Sequence, residues 1–330
     1  FLETFPASTA KAEVLCTLSE TMIQEQLFTK VAALADKYFD FSPTKNLMML
    51  KLAELFCKNS LKLNQYDEAE NYFEFIIKNS EDREIIGQAM LWKAEIAYNR
   101  KDYNKALVQY ADIYKMYPNL KDKSLFRIAQ TQISMDNYKE ALITLEKLIK
   151  NSPNNDIEPS QLFIYATVLE KLGEYKQAVN MYLKYALDNA QKTDAELAYY
   201  QAASLSLTLG DTMDAIKYFN TLIDNYPQSP EVEMAYYKLV YAYLSIQSYD
   251  MATNYANILS KNYPNSEVTI QASFWLSDYY QKNKQYNEAI RKLDSIINSS
   301  QDASSLAEAY YKKAYDYYLS GDLDKAQESI

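Results

Sequence analysis

Histidine is absent from this 330-residue chain, and glycine (4), proline (8) and cysteine (2) are scarce. Because histidine is the commonest general acid–base group and a frequent metal ligand, its absence argues against most catalytic and metal sites. So few glycines and prolines indicate a mostly helical chain, since these residues interrupt helices. Cys16 and Cys57 could form one disulfide in an oxidising compartment, but sequence alone does not show that they meet.

Other classes are excluded by charge and by missing motifs. A net charge of −10 argues against a protein that follows nucleic-acid phosphates, so we expect no nucleic-acid partner. No apolar run approaches the ~18–20 residues that span a bilayer, so we expect no membrane-spanning segment. The chain has no Walker loop, dinucleotide-binding glycine turn, zinc-protease helix or nucleophile elbow. We therefore predict that it is not an enzyme and needs no cofactor or metal.

The chain does contain an internal repeat, marked by a regularly spaced alanine. Gly173, Gly210 and Gly321 are each followed by an acidic residue and, five residues on, by an alanine. The alanines that continue this register are Ala69, Ala106, Ala141, Ala178, Ala215, Ala252, Ala289 and Ala326. All steps are 37 residues except one of 35 between Ala106 and Ala141, which predicts a tighter connection there. A period held so closely indicates a repeat architecture.

Further residues recur at fixed distances from this alanine. An aromatic residue precedes it by three positions in six of eight copies, a mostly small residue precedes it by twelve, and proline follows it by twelve in four copies. The turn residues before the aromatic include Gly173, Gly210, Gly321, Asn64 and Asp136, which tolerate a left-handed helix end. This pattern resembles the tetratricopeptide repeat (TPR), whose unit is two antiparallel helices. The resemblance implies an all-α solenoid, a right-handed superhelix of about eight to nine helix-turn-helix repeats.

Numbering each repeat so that the alanine is position 20 divides the chain. We predict a TPR array over residues 50–330, with repeats that begin near Leu50, Gly87, Asp122, Pro159, Glu196, Glu233, Ile270 and Ala307. Residues 1–49 are predicted to be N-terminal helices that include a degenerate repeat, with Phe28 as the turn aromatic and Val31 in the alanine's place. The most loop-like segment is Asn151 to Pro159. Because the last repeat is truncated and Phe1 is not methionine, we expect the natural chain to extend beyond both ends.

The junctions between repeats carry a second resemblance. The 37-residue repeats with Tyr117-Pro118, Tyr226-Pro227 and Tyr263-Pro264 are similar to the bacterial envelope subgroup of TPR proteins of the BamD and CpoB type. That resemblance implies a non-enzymatic scaffold that binds protein partners in a bacterial periplasm or cell envelope, or in an envelope-spanning or flagellar assembly. The alternatives are a cytosolic TPR adaptor, or the recognition arm of a larger protein that continues beyond residue 330.

In the TPR family the first helix of each repeat lines a concave groove with positions 2, 5, 9 and 12. Position 5 is aromatic in six consecutive repeats, and position 9 adds two tyrosines. The predicted partner-binding residues are Phe126, Phe163, Tyr200, Tyr237, Tyr241, Phe274, Tyr311 and Tyr315. Tyrosine and phenylalanine give large contact areas at low entropic cost, which suits a protein or peptide partner. Alternatively, position 5 completes the core.

Three further expectations concern the same first helices and the chain ends. Lys51, Lys58 and Lys62 give the first clear repeat a basic groove face, unless that face is simply solvated. Trp92 and Trp275 lie beside the small position and are predicted to be core residues. Homo-oligomerisation through terminal repeats is open, because the chain ends without an evident polar cap.

Overall fold

The computed structural model describes residues 10–151, 158–190 and 194–329. This part of the chain is helical throughout and contains no strand. Eighteen α-helices, α1 to α18 in chain order, have these bounds: Lys11–Gln24, Phe28–Tyr38, Leu47–Lys62, Tyr66–Asn79, Arg83–Asn99, Tyr103–Met116, Lys121–Ser134, Tyr138–Asn151, Pro159–Lys171, Tyr175–Asp188, Ala195–Leu209, Thr212–Asn225, Val232–Ser245, Tyr249–Asn262, Glu267–Lys282, Tyr286–Ser299, Ala303–Ser320 and Leu323–Glu328.

The helices form two compact units, Phe1–Ile157 and Glu158–Ile330. In the first unit, successive helices from α3 to α8 pack against one another in chain order, and α1 packs on both α2 and α3. In the second unit each helix from α9 to α18 packs on the next, and the first helices α11, α13, α15 and α17 also pack on one another. This sequential pairing is a TPR-like solenoid, as predicted. The right-handed superhelix and the division at residues 49 and 50 stay predictions.

Small residues hold the two helices of a repeat together. Seven of the eight repeat alanines, from Ala69 to Ala289, have no exposed surface, and only Ala326 on the short helix α18 is partly exposed. The facing small position is also buried, at 5% exposure or less, in every repeat: Cys57, Ala94, Ala129, Ala166, Ala203, Val240, Ser277 and Ala314. Side chains of this size let two helix backbones approach closely. The predicted alanine register is therefore confirmed.

Left-handed residues end the first helices. Asn64 and Asp136 have φ of 58°, and Gly173, Gly210 and Gly321 have φ of 82° to 87°, as predicted. Four residues that the sequence did not single out adopt the same conformation: Gln26, Lys101, Gln247 and Lys284. In each copy a backbone amide bonds the carbonyl five residues earlier, as Gln65 does to Ser60 at 2.8 Å. These bonds satisfy helix-end carbonyls and turn the chain into the second helix.

The 35-residue step has a structural counterpart. A 3-10 turn over Pro118–Leu120 runs directly into α7 at Lys121, so the connection is shortened as predicted. Leu120 is buried, and the Tyr117 ring lies against Gly87 of α5. The other loop-like segment lies largely outside the described residues: Asn151 ends α8 and Pro159 begins α9.

Candidate protein-binding surfaces

The aromatic residues at position 5 have graded exposure. Phe126, Phe163, Tyr200 and Tyr237 are half-buried, whereas Phe274 is 6% exposed and Tyr311 is 71% exposed. Phe163 makes edge-to-face contacts with Tyr182 and Tyr185 of α10, with ring centroids 5.3 and 5.2 Å apart. Position 5 therefore packs partly on the second helix of its own repeat, and Phe274 belongs to the core. The exposed fraction that a partner could contact is concentrated in α13 and α17.

Three aromatic rings meet where α13 packs on α15. The rings of Tyr237 and Trp275 stack with centroids 4.8 Å apart, and Tyr241 lies 5.6 Å from the same indole. Tyr241 is 49% exposed, while Trp275 and Tyr237 are half-buried. Trp275, expected in the core, follows position 5 directly and so reaches the preceding first helix. The result is a preformed aromatic surface on two adjacent first helices.

The last long helix presents more tyrosine to solvent. Tyr311 and Tyr315, at positions 5 and 9 of α17, are 71% and 45% exposed, and Tyr318 one turn further is 60% exposed. The Tyr315 and Tyr318 rings are nearly parallel, with centroids 6.4 Å apart. The side chains keep one face free because α18 is only six residues long and buries none of them.

Trp92 corrects one prediction. It was expected in the core but is 36% exposed, because its neighbour Leu91, at 2% exposure, takes the inward direction on α5. Trp92 borders two cavities of the first unit, of about 320 and 590 Å³. The smaller is also lined by Leu47, Leu50, Lys51, Glu54, Phe73, Ile76, Glu84, Ile85, Gln88 and Ala89. The larger is also lined by Ile23, Phe28, Leu55, Lys58, Asn59, Leu61, Lys62, Glu95 and Asn99. The sequence signal was present, since tryptophan at position 6 follows a buried leucine at position 5.

Charged residues link the first helices of neighbouring repeats. Glu95 at position 9 of α5 pairs with Arg127 at position 6 of α7, and burial raises the pKa of this carboxyl. Asp278 and Lys312 hold the same two positions in α15 and α17 and lie 2.6 Å apart. These pairs fix one first helix against the next, which keeps the groove-facing side chains in register.

The cysteines and acidic residues give no sign of chemistry. Cys16 and Cys57 are buried free thiols, as predicted for Cys57, and burial raises the pKa of both well above the ordinary value. A raised thiol pKa disfavours the reactive thiolate. Across residues 10–151, 158–190 and 194–329, no cluster of three acidic, cysteine or histidine side chains is placed to hold a metal ion. None of the helices in these ranges is long and apolar enough to cross a bilayer.

Comparison with family models gives three matches along the chain. Residues 59–120 and 123–155 match tetratricopeptide-repeat models. Residues 191–329 match the YfiO model, described as an outer membrane lipoprotein. No curated protein is similar to the chain at a significant level.

Solved structures agree in fold. The C-terminal part of a TPR protein from Cytophaga hutchinsonii has a TM-score of 0.55 at 13% identity, covering 88% of this chain and 98% of its own. Apo RapI also has a TM-score of 0.55, at 11% identity over 97% of this chain and 98% of its own. A TPR protein from Parabacteroides merdae has a TM-score of 0.48 at 16% identity, covering 74% and 90% of the two chains. At these identities the first two structures support the fold and nothing more. Together with the repeat register and the helix pairs, the matches show that the chain is a tetratricopeptide-repeat protein whose residues 191–329 carry a YfiO-type, outer membrane lipoprotein region.

Proposed function

We propose that the chain is a non-enzymatic scaffold of a bacterial cell envelope that binds protein partners through the first helices of its repeats. The observation that carries the proposal is the exposed aromatic surface of the second unit. Tyr241 lies beside the stacked Tyr237 and Trp275 rings, and Tyr311 and Tyr315 continue the same repeat positions on α17.

The physical argument is one of contact area and rigidity. Tyrosine and tryptophan bury large areas with few rotatable bonds, so they dominate many protein interfaces. The Tyr237 and Trp275 side chains already hold each other in place, so a partner would not have to order them on binding. The exposed edge of Tyr241 then offers both an apolar ring and a hydroxyl group to a partner surface.

The proposed compartment has separate support. The region that matches the outer membrane lipoprotein model, residues 191–329, includes both aromatic surfaces. Fractionation of the native bacterium, with an epitope-tagged copy of the full-length gene, tests this part. We expect the tagged protein in the envelope fraction, and recovery with cytosolic markers would favour the adaptor alternative.

Site-specific photocrosslinking tests the binding surface. A photoreactive phenylalanine analogue would replace Tyr241 or Tyr315 in the native host, and Met213, 68% exposed on the second helix α12, would carry the same analogue as the control. We expect discrete protein adducts from the two tyrosine positions and none from position 213. Tyr237→Ala should lower the yield at position 241, because it removes the ring that positions Trp275. Equal adducts at all three positions, or none at the tyrosines, would contradict the proposal.

A further inference from the structure

We propose that the larger cavity of the first unit, which we call the Trp92 cavity, is a docking site for a partner peptide that presents a large apolar side chain next to acidic residues. The inference rests on the proposed function only in that the occupant is a protein. It concerns a different surface from the aromatic residues of the second unit, so the two can fail separately.

The size and walls of the Trp92 cavity suit an apolar side chain. Its volume of about 590 Å³ falls within the range of ligand-binding pockets in proteins. Ile23 and Phe28 line it from α1 and α2, Leu55 and Leu61 from α3, and the exposed Trp92 from α5. Three helix pairs therefore contribute, and an occupant could bury a phenylalanine- or leucine-sized group between them.

The charges around the cavity favour an acidic partner. Lys58 and Lys62 lie one turn apart on α3, and both are exposed. Lys58 makes an exposed pair with Glu54 at 2.6 Å, which contributes little, whereas Lys62 has no ion pair within the described ranges. The acidic residue that lines the cavity, Glu95, is buried and already paired with Arg127. The mouth is therefore net positive, in contrast to the smaller cavity, which mixes Lys51 with Glu54 and Glu84.

Asn59 supplies an independent sign of a missing partner. This side chain lines the cavity, is 2% exposed, and donates its amide to the Phe28 carbonyl at 3.0 Å. Its Oδ1 is buried and accepts no hydrogen bond from any described residue. Buried acceptors are rarely left unsatisfied, so a donor on an occupant, such as a backbone N–H of the peptide, is the expected complement.

Selection from a random peptide library identifies the occupant by its binding alone. The full chain would be panned against phage-displayed 12-residue peptides, and the enriched peptides would be synthesised. Binding would be followed by Trp92 emission in a Trp275→Phe background, which leaves one tryptophan in the protein. We expect enriched peptides with an aromatic residue or leucine beside aspartate or glutamate, and a shift of Trp92 emission on binding.

Variants then distinguish this site from others. The double charge reversal Lys58→Glu with Lys62→Glu should weaken binding by about tenfold or more. Lys139→Glu with Lys150→Glu makes the same charge change on exposed positions of α8, outside the cavity, and should change affinity by less than about twofold. Tyr241→Ala should have no effect on these peptides.

Three results would overturn the proposal. One is enrichment of peptides without acidic residues. Another is binding that is insensitive to the lysine reversal, or that depends on Tyr241, which would leave the proposed function intact but remove this site. The third is a Trp92 emission change with dodecanoate and with no selected peptide, which would assign the cavity to a small anionic amphiphile.

Discussion

The Cys57 thiol donates a hydrogen bond to the Ala69 carbonyl oxygen at 3.3 Å, and neither residue has any exposed surface. The bond joins the small position of the first helix to the repeat alanine of the second. It is direct evidence that the two recurring small residues face each other across a helix pair. A backbone carbonyl within reach of a facing side chain means that little room remains for a larger residue.

Ala69→Leu should therefore destabilise the first unit by about 1–3 kcal/mol, the usual cost of overpacking a close contact. The measurement is urea unfolding followed by Trp92 emission in the Trp275→Phe background, which reports on the first unit. Ala33→Leu is the control, because Ala33 is exposed on α2. Equal urea midpoints for the two variants would contradict the close-approach interpretation of the repeat.

The turn positions illustrate what sequence could and could not reveal. Glycine, asparagine and aspartate at the left-handed position were recognisable because those residue types favour it. Lys101, Gln247 and Lys284 carry no such signal, yet they have φ of 59° to 63°. Their conformation is imposed by the packing of the two helices that they join. The repeat register, not residue preference, is the signal that would have found them.

Lys284→Gly should stabilise the protein by about 1 kcal/mol, because glycine relieves the cost of a left-handed β-carbon. Gly210→Ala should have the opposite sign and a similar size. At Gly210 an added Cβ would meet no atom within 4 Å, so the penalty is one of backbone conformation alone. Both changes are measured as shifts in the thermal midpoint by circular dichroism. A stabilising Gly210→Ala would show that helix propensity outweighs the left-handed geometry.

The candidate surfaces were less predictable than the fold. Sequence periodicity correctly placed aromatic residues on first helices, but it could not separate Phe274, which is buried, from Tyr311, which is exposed. That difference depends on whether a following helix covers the ring. Trp92 was missed because adjacent positions 5 and 6 are both apolar, and periodicity alone does not say which one faces inward. The Trp92 cavity needs three helix pairs in place and has no local sequence signature.

Gly87→Ala provides a test of the shortened junction. In an ordinary helix the change would stabilise by ~1 kcal/mol. Here an added Cβ would lie 2.7 Å from Cδ1 of Tyr117 and 3.0 Å from Cδ1 of Leu120, so we expect a net loss of about 1–2 kcal/mol. The change is measured by urea unfolding with Trp92 as the probe. Adding Tyr117→Ala to Gly87→Ala should remove the clash, so the combined cost should be smaller than the sum of the two single costs.

Asp316 on α17 should make stability fall as pH rises. Gln281 donates to its Oδ1 at 2.7 Å, its Oδ2 has no donor within the described residues, and the side chain is fully buried. Burial raises the pKa of this carboxyl above its usual 3.8. The folded state therefore binds a proton more tightly than the unfolded state, and stability is lost as pH rises through the raised folded pKa.

Asp316→Asn keeps the acceptor for Gln281 and removes the buried charge, so it should stabilise the protein by about 1 kcal/mol at pH 7.5 and by progressively less as pH falls toward 4. Asp302 on the same helix is the matched control, since the hydrogen bond from the Ser305 amide lowers the pKa of its carboxyl. Its contribution is present above the unfolded pKa and is lost as pH falls through the folded pKa. Asp302→Asn should therefore give no gain at pH 7.5. Thermal midpoints of both variants from pH 4 to 8 measure the difference, and a pH-independent effect of Asp316→Asn would show that Asp316 is uncharged throughout that range.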